Sequence, residues 1–304
     1  MKFFLNMINL QLMLFTLMLV GIILKKKGLI DNKTKKTLSD LLINFILPCN
    51  IIHSFLEKIE MTASFWKNCI YAIIISLIVQ IFATYISKLL FIKYPKEKKS
   101  VMSYGIICSN SSFVGLPVAE ALYGSMGVLY TSIAQIPLRF TMWTAGLALF
   151  TNVSKKDAFK KLAVHPCIVS IFIGFLLMVL PIELPVFLNN SITSVSKCTI
   201  PMSMIVIGSI LADADIKSLF SKPILYYTFL RLVAFPLLTL GVLSLFNLDK
   251  LLVSIIVLMC GLPAGSTTSI LAEKYDCDSL FASQIVFVST LFSMVTIPLL
   301  TLLI

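Results

Sequence analysis

A chain of 304 residues has the length of about two soluble domains, but its composition excludes them. Hydrophobic residues make up 58% and charged residues 13%, with a mean hydropathy of +0.98, where a soluble domain carries roughly 25% charged residues. That supply of charge cannot solvate a water-facing globule, so the chain is read as a polytopic membrane protein, and disorder, a coiled coil, a disulfide scaffold and a cytosolic enzyme are set aside.

A hydrocarbon core about 30 Å thick takes roughly 20 helical residues to cross. Ten spans are predicted on that basis: Phe3–Leu24, Leu41–Leu56, Asn68–Ser87, Ser100–Ala119, Ala121–Ser154, Leu162–Ile182, Cys198–Ala212, Pro223–Leu248, Leu251–Ala272 and Ser279–Ile304. The second and seventh are short and each holds a proline, Pro48 and Pro201. Barrel strands would alternate polar and apolar residues; these runs are continuous, so the spans are helices.

The net charge of +11 comes almost wholly from lysine, clustered between the spans. This suits loops lying against anionic lipid and not a nucleic-acid groove, and no nucleic-acid partner is expected. Eighteen lysines follow the odd-numbered spans and five lie on the other side. The cytoplasmic side is therefore the lysine-rich one, and both termini are expected outside the cytoplasm. The seven cysteines are scattered without a Cys-x-x-Cys pair and read as small hydrophobes.

Five spans per half means that a duplicated half inserts upside down. Prolines support such a duplication of residues 1–154 and 155–304. Pro48, Pro117 and Pro137 recur in order as Pro201, Pro263 and Pro298, and the triplet Gly-Leu-Pro appears at 115–117 and again at 261–263. Proline removes a backbone donor and clashes with the preceding turn, while glycine relaxes the backbone beside it. The fourth and ninth helices are thus expected to break at Gly115–Pro117 and Gly261–Pro263. Paired broken helices in inverted halves point to a transporter's binding site.

The flanks of both breaks are polar and free of acids. One reads Asn110-Ser111-Ser112-Phe113-Val114-Gly115-Leu116-Pro117, the other Gly261-Leu262-Pro263-Ala264-Gly265-Ser266-Thr267. Amides, hydroxyls and half-helix N-termini are donors suited to an anion or a polar neutral solute, and a sodium site of carbonyls and hydroxyls stays open. Arg139, deep in the fifth span, is a candidate partner for a carboxylate or a helix end, and Asn50 and Gln135 are weaker polar candidates. Arg231, about eight residues inside its span, is expected to snorkel towards the interface. His53 and His165, near span ends, read as interfacial groups. No P-loop, Gly-x-Ser-x-Gly, His-Glu-x-x-His or paired intramembrane aspartates occur, so neither an enzyme nor a cofactor is expected.

These motifs resemble the auxin efflux carrier family, specifically its bacterial malonate/malate-type members. The resemblance rests on Asn110-Ser-Ser-Phe113-Val-Gly115-Leu-Pro117, Ile46-Leu47-Pro48, His165-Pro166, Arg231-Leu-Val-Ala-Phe-Pro236, and Leu262-Pro263-Ala264 with Leu271-Ala272-Glu273-Lys274-Tyr275. It implies an all-α, bile acid:sodium symporter-like fold. Helices 1, 2, 6 and 7 would be a dimerising scaffold, and helices 3–5 and 8–10 a moving transport domain. An organic acid's carboxylate would bind where helices 4 and 9 cross, with Asn110 in the family's asparagine position. Ser112 stands where the family has glycine, and Thr267 where many members have asparagine. The expected function is alternating-access transport of small organic anions across a bacterial inner membrane by a homodimer. The alternatives are a sodium-coupled organic acid symporter and a non-transporting sensor.

Overall fold

Helix α4 (Ala63–Leu90) wears its hydrophobicity on the outside. Ile70, Ile74, Ile78, Ile81, Phe82, Tyr85 and Leu89 are exposed, while Asn68, Ala72, Ser76, Gln80, Ala83 and Ser87 are buried. A helix in water buries the first set; in lipid the apolar face needs no cover, and small and polar residues make the interhelical contacts.

The computed structural model describes residues 2–56, 62–151, 163–180, 184–212, 219–265 and 267–304. These are all-helical apart from turns and one isolated β-bridge. Six helices among them are long and apolar enough to cross a membrane: Asn32–Leu56, Ala63–Leu90, Ser111–Leu149, Val186–Ile210, Lys222–Leu243 and Ser279–Thr301. Two shorter apolar helices are Pro166–Val179 and Lys250–Cys260. The two short proline-bearing stretches of the sequence are thus the inner parts of longer helices. Each is extended at its N-terminal end, by Asn32–Leu41, none of whose side chains is buried, and by Val186–Ser196.

The chain forms two compact units, and each draws on both halves of the sequence. The first comprises Met1–Phe65, Ser112–Ile133 and Val164–Asp213. It holds α1 (Lys2–Lys26), α2 (Asn32–Leu41), α3 (Leu47–Leu56), the N-terminal part of α6 (Leu116–Thr141), α7 (Pro166–Val179), α8 (Val186–Ser196) and α9 (Thr199–Leu211). Helix α1 lies against α9 so closely that a Cβ on Gly21 would meet the Ile205 carbonyl, and one on Gly208 the Met18 carbonyl. Helix α3 packs on α7 and α8, with Phe55 seated on Gly174. His165 caps α7 by accepting the Cys167 amide at 3.3 Å, a more specific task than a generic interfacial group.

The second unit comprises Trp66–Ser111, Ala134–Ala163 and Ala214–Ile304. It holds most of α4, α5 (Lys96–Ile107), the end of α6, α10 (Lys222–Phe229), α11 (Phe235–Leu243), α12 (Lys250–Cys260), α13 (Thr267–Lys274) and α14 (Ser279–Thr301). Its core gathers Phe91, Met102, Ile106, Tyr227, Ala264 and Ile285. Aspartates start two of its helices: Asp249 accepts the Leu252 amide and Asp278 the Phe281 amide, each at 3.0 Å.

Three prolines in this chain follow π-turns. Leu42–Ile46, Ser111–Gly115 and Leu230–Ala234 are π-helical, and each is followed two residues later by a proline, Pro48, Pro117 or Pro236. A widened turn relieves the clash of the ring with the carbonyl one turn back, and the helix continues. The predicted break at Gly115–Pro117 is therefore corrected. The chain runs helically through both residues and leaves helical geometry earlier, at Cys108–Asn110, and later, at Gly124. Gly124 has φ 60° and ψ −152°, a kink open to glycine because it lacks a Cβ.

Candidate functional site

Two helices of the second unit stop in mid-sequence, and their loose ends pair. Helix α5 ends at Ile107, and Cys108 turns extended (φ −109°, ψ 99°). Helix α12 ends at Cys260 and α13 begins at Thr267. Between them, Ser109 and Ala264 form an antiparallel bridge. The Asn110 amide donates to the Pro263 carbonyl at 2.8 Å, and the Gly265 amide to the Cys108 carbonyl at 2.9 Å. The Ala264 amide donates to Ser289 Oγ on α14 at 3.1 Å. Backbone groups released by the interruptions are thus satisfied partly by each other and partly by side chains, the condition under which non-helical backbone is tolerated at membrane depth. Gly265 fits because a Cβ there would press on the Cys108 and Ser109 carbonyls at 3.3 Å.

Polar side chains collect around this pairing. Ser111 Oγ donates to Gln135 Oε1 at 3.2 Å, and Arg139 Nη2 donates to the same oxygen at 3.3 Å. The Tyr104 hydroxyl donates to Thr267 Oγ1 at 3.3 Å. Ser109 Oγ, Gln135 Nε2 and Thr268 Oγ1 are buried without a protein partner. Leaving such groups unsatisfied costs about 1–3 kcal/mol each, so an arrangement of this kind is fitted to a polar ligand. The groups named are donors or amphoteric hydroxyls, beside the N-terminal end of α13 and one guanidinium, a set that favours negative charge.

Of the predicted site residues, Asn110, Ser111, Gly261, Pro263, Gly265, Thr267 and Arg139 fall in this unit, and all but Gly261 make hydrogen bonds in the pairing or the polar cluster. Asn50, Ser112, Gly115 and Pro117 belong to the first unit, where Asn50 is buried. Ser266 lies outside the described residues. Gln135 joins Ser111 to Arg139, a larger part than its sequence rank implied. Tyr104 was not foreseen: it sits six residues before Asn110, and nothing in its neighbourhood distinguishes it from a packing aromatic.

Arg231 departs furthest from expectation. It does not snorkel; it is 2% exposed. Nε donates to the Leu262 carbonyl at 2.8 Å, Nη1 to the Ile106 carbonyl at 2.7 Å, and Nη2 to the Met259 carbonyl at 3.4 Å. The insertion cost of a mid-membrane arginine is about 2.5–3.5 kcal/mol. Hydrogen bonds to a charged group contribute about 1.5–3 kcal/mol each, so the two short ones alone offset it. Snorkelling loses because unpaired helix-end carbonyls lie within reach.

An all-helical chain with apolar outward faces, several helices long enough to span a bilayer and a buried polar cluster at paired backbone interruptions is a multi-pass membrane protein. Comparison with known proteins gives the family. The family described as membrane transport protein, that of the auxin efflux carriers, matches residues 7–161 and 151–301, and the chain belongs to it. It is 23% identical over 296 residues to an uncharacterized transporter of Methanocaldococcus jannaschii, covering 95% of this chain and 96% of that one. It is 24% identical over 297 residues to an uncharacterized transporter of Methanothermobacter thermautotrophicus, covering 95% of each. The chain is thus a membrane transporter by family.

Proposed function

We propose that this protein is a secondary carrier of small organic anions, carboxylates such as malate or malonate, working by alternating access. The observation that carries the reading is the antiparallel pairing of Ser109 with Ala264 beside the Ser111–Gln135–Arg139 cluster. It places donors of two interrupted helices and a guanidinium in one buried place. Binding there adds an anion to the partners of the Arg139 guanidinium and satisfies the orphaned Ser109, Gln135 and Thr268 groups. Movement of the unit that bears the pairing then exposes the solute to one face of the membrane or the other. The interruptions at 108–110 and 261–265 are the broken fourth and ninth helices of an inverted repeat in this reading. The first unit, with α1, α3, α7, α8 and α9, is the scaffold, and its outward apolar residues such as Phe172 and Leu176 serve lipid and a second copy of the chain. The protein resides in the cell membrane with both termini outside the cytoplasm, the lysine-rich loops facing in.

The test is counterflow of labelled malate into malate-loaded proteoliposomes without an ion gradient, beside Asn110→Ala. Accumulation by the wild type and its loss in the variant supports a carboxylate carrier with its site at the pairing. Equal accumulation by both removes Asn110 from the site, and none by the wild type removes malate as a solute.

A further inference from the structure

We propose that Arg231 is a resident cation, filling the place that a coupling sodium ion takes where half-helix ends meet, so that this carrier runs without sodium. The last carbonyls of a helix have no partner within it and carry the negative end of its dipole. In secondary transporters with interrupted helices, such ends and the unwound carbonyls beside them coordinate the coupling cation. Here the carbonyls of Ile106, at the end of α5, Met259, at the end of α12, and Leu262, in the unwound segment, all receive the guanidinium of Arg231. The cation reaches them from the π-turn Leu230–Ala234 between α10 and α11. Its carbon lies 5.9 Å from the Phe235 ring centre, on whose face positive charge is also favoured. A guanidinium holds its charge at every physiological pH and presents donors in a fixed fork. One covalently tethered group thus does for both helix ends what a bound metal ion does elsewhere, and it never dissociates.

A cavity of about 20 Å³, lined in part by Ser76, Gln80, Arg231 and Met259, adjoins the group. That is room for about one water molecule. Shortening Arg231 opens this cavity onto the three carbonyls and creates a place for a small free cation. The same charge gives Arg231 a positioning role: it holds two helix ends together and does not touch the solute.

The inference concerns the coupling ion and rests on the carrier reading; its test needs no solute, so the two fail separately. Thermal melting of the purified protein is followed in sodium chloride, potassium chloride and N-methyl-D-glucamine chloride at equal ionic strength, with binding of radioactive sodium beside it. The wild type is expected to melt at one temperature in all three and to bind no sodium above background. Arg231→Ala is expected to melt lower, and to regain about half or more of the loss in millimolar methylguanidinium or in sodium, but not in N-methyl-D-glucamine. Arg231→Lys, which keeps the charge, should melt between the two and stay indifferent to sodium. Sodium-dependent stabilisation of the wild type, or saturable sodium binding by it, overturns the proposal even when neither variant folds. So does an Arg231→Ala protein that folds and gains nothing from any small cation, because the side chain then acts by packing alone.

Discussion

The places where proline enters a helix and the places where a helix stops are largely different in this chain. At Pro48, Pro117 and Pro236 a π-turn precedes the ring and the helix runs on. At Cys108–Asn110, which has neither proline nor glycine, the helix stops; at Gly261–Gly265, which has both, it also stops. The shared property of the two true interruptions is that each supplies hydrogen-bond partners to the other. Within a bilayer an unpartnered backbone group costs several kcal/mol. A helix can therefore end in mid-membrane only where those groups are received. The opposite segment, more than proline, decides where a helix stops.

That comparison can be broken by substitution. Asn110→Pro removes the amide that donates to Pro263, strands that carbonyl and should destabilise the protein by up to about 3 kcal/mol, read as a fall in melting temperature of the detergent-solubilised protein. Ser289→Ala strips the Ala264 amide of its acceptor and should cost about 1–3 kcal/mol. Pro117→Ala lies in a helix that already accommodates the ring, and should change stability by less than about 1 kcal/mol in either direction. If Pro117→Ala proves as damaging as Asn110→Pro, proline and not partnering sets the interruptions. The smallest effect belongs to a helix start far from the pairing. Hydrogen bonds from Thr34 hold the Asp31 carboxyl below its ordinary range. Its contribution is complete above the ordinary aspartate range and fades as pH falls through the lower folded-state value. Asp31→Ala should therefore lower the melting temperature slightly at neutral pH and not at all in strong acid.

Much of this was legible in the residues. Composition and uninterrupted apolar runs give a helical membrane protein, because lipid admits little else. The motif around Asn110 and the Leu262-Pro263-Ala264 segment give the family. The interruption at Gly261–Gly265 was readable from its glycines and proline. The one at Cys108–Asn110 was not, since its cause lies in a segment some 150 residues away. The two arginines show the same limit. Arg139 was singled out by its depth, and it does join the polar cluster through Gln135. Arg231 was misjudged because distance from a helix end says how far a side chain must reach for water, and nothing of the carbonyls that tertiary packing brings nearer. Gln135 and Tyr104 were undervalued for a similar reason: their partners, Ser111 and Thr267, come from other helices.

The central claim is that the solute sits at the pairing of the two interruptions, and Ser109 reports on it most directly. Its hydroxyl is buried there without a protein partner. In a background lacking the seven native cysteines, Ser109→Cys is labelled by a small thiol reagent with and without saturating malate, beside Leu245→Cys in an exposed turn. Malate should slow labelling at 109 several-fold and leave 245 unchanged. Equal rates at 109 with and without malate, in a protein that carries malate in counterflow, would place the solute elsewhere and contradict the account.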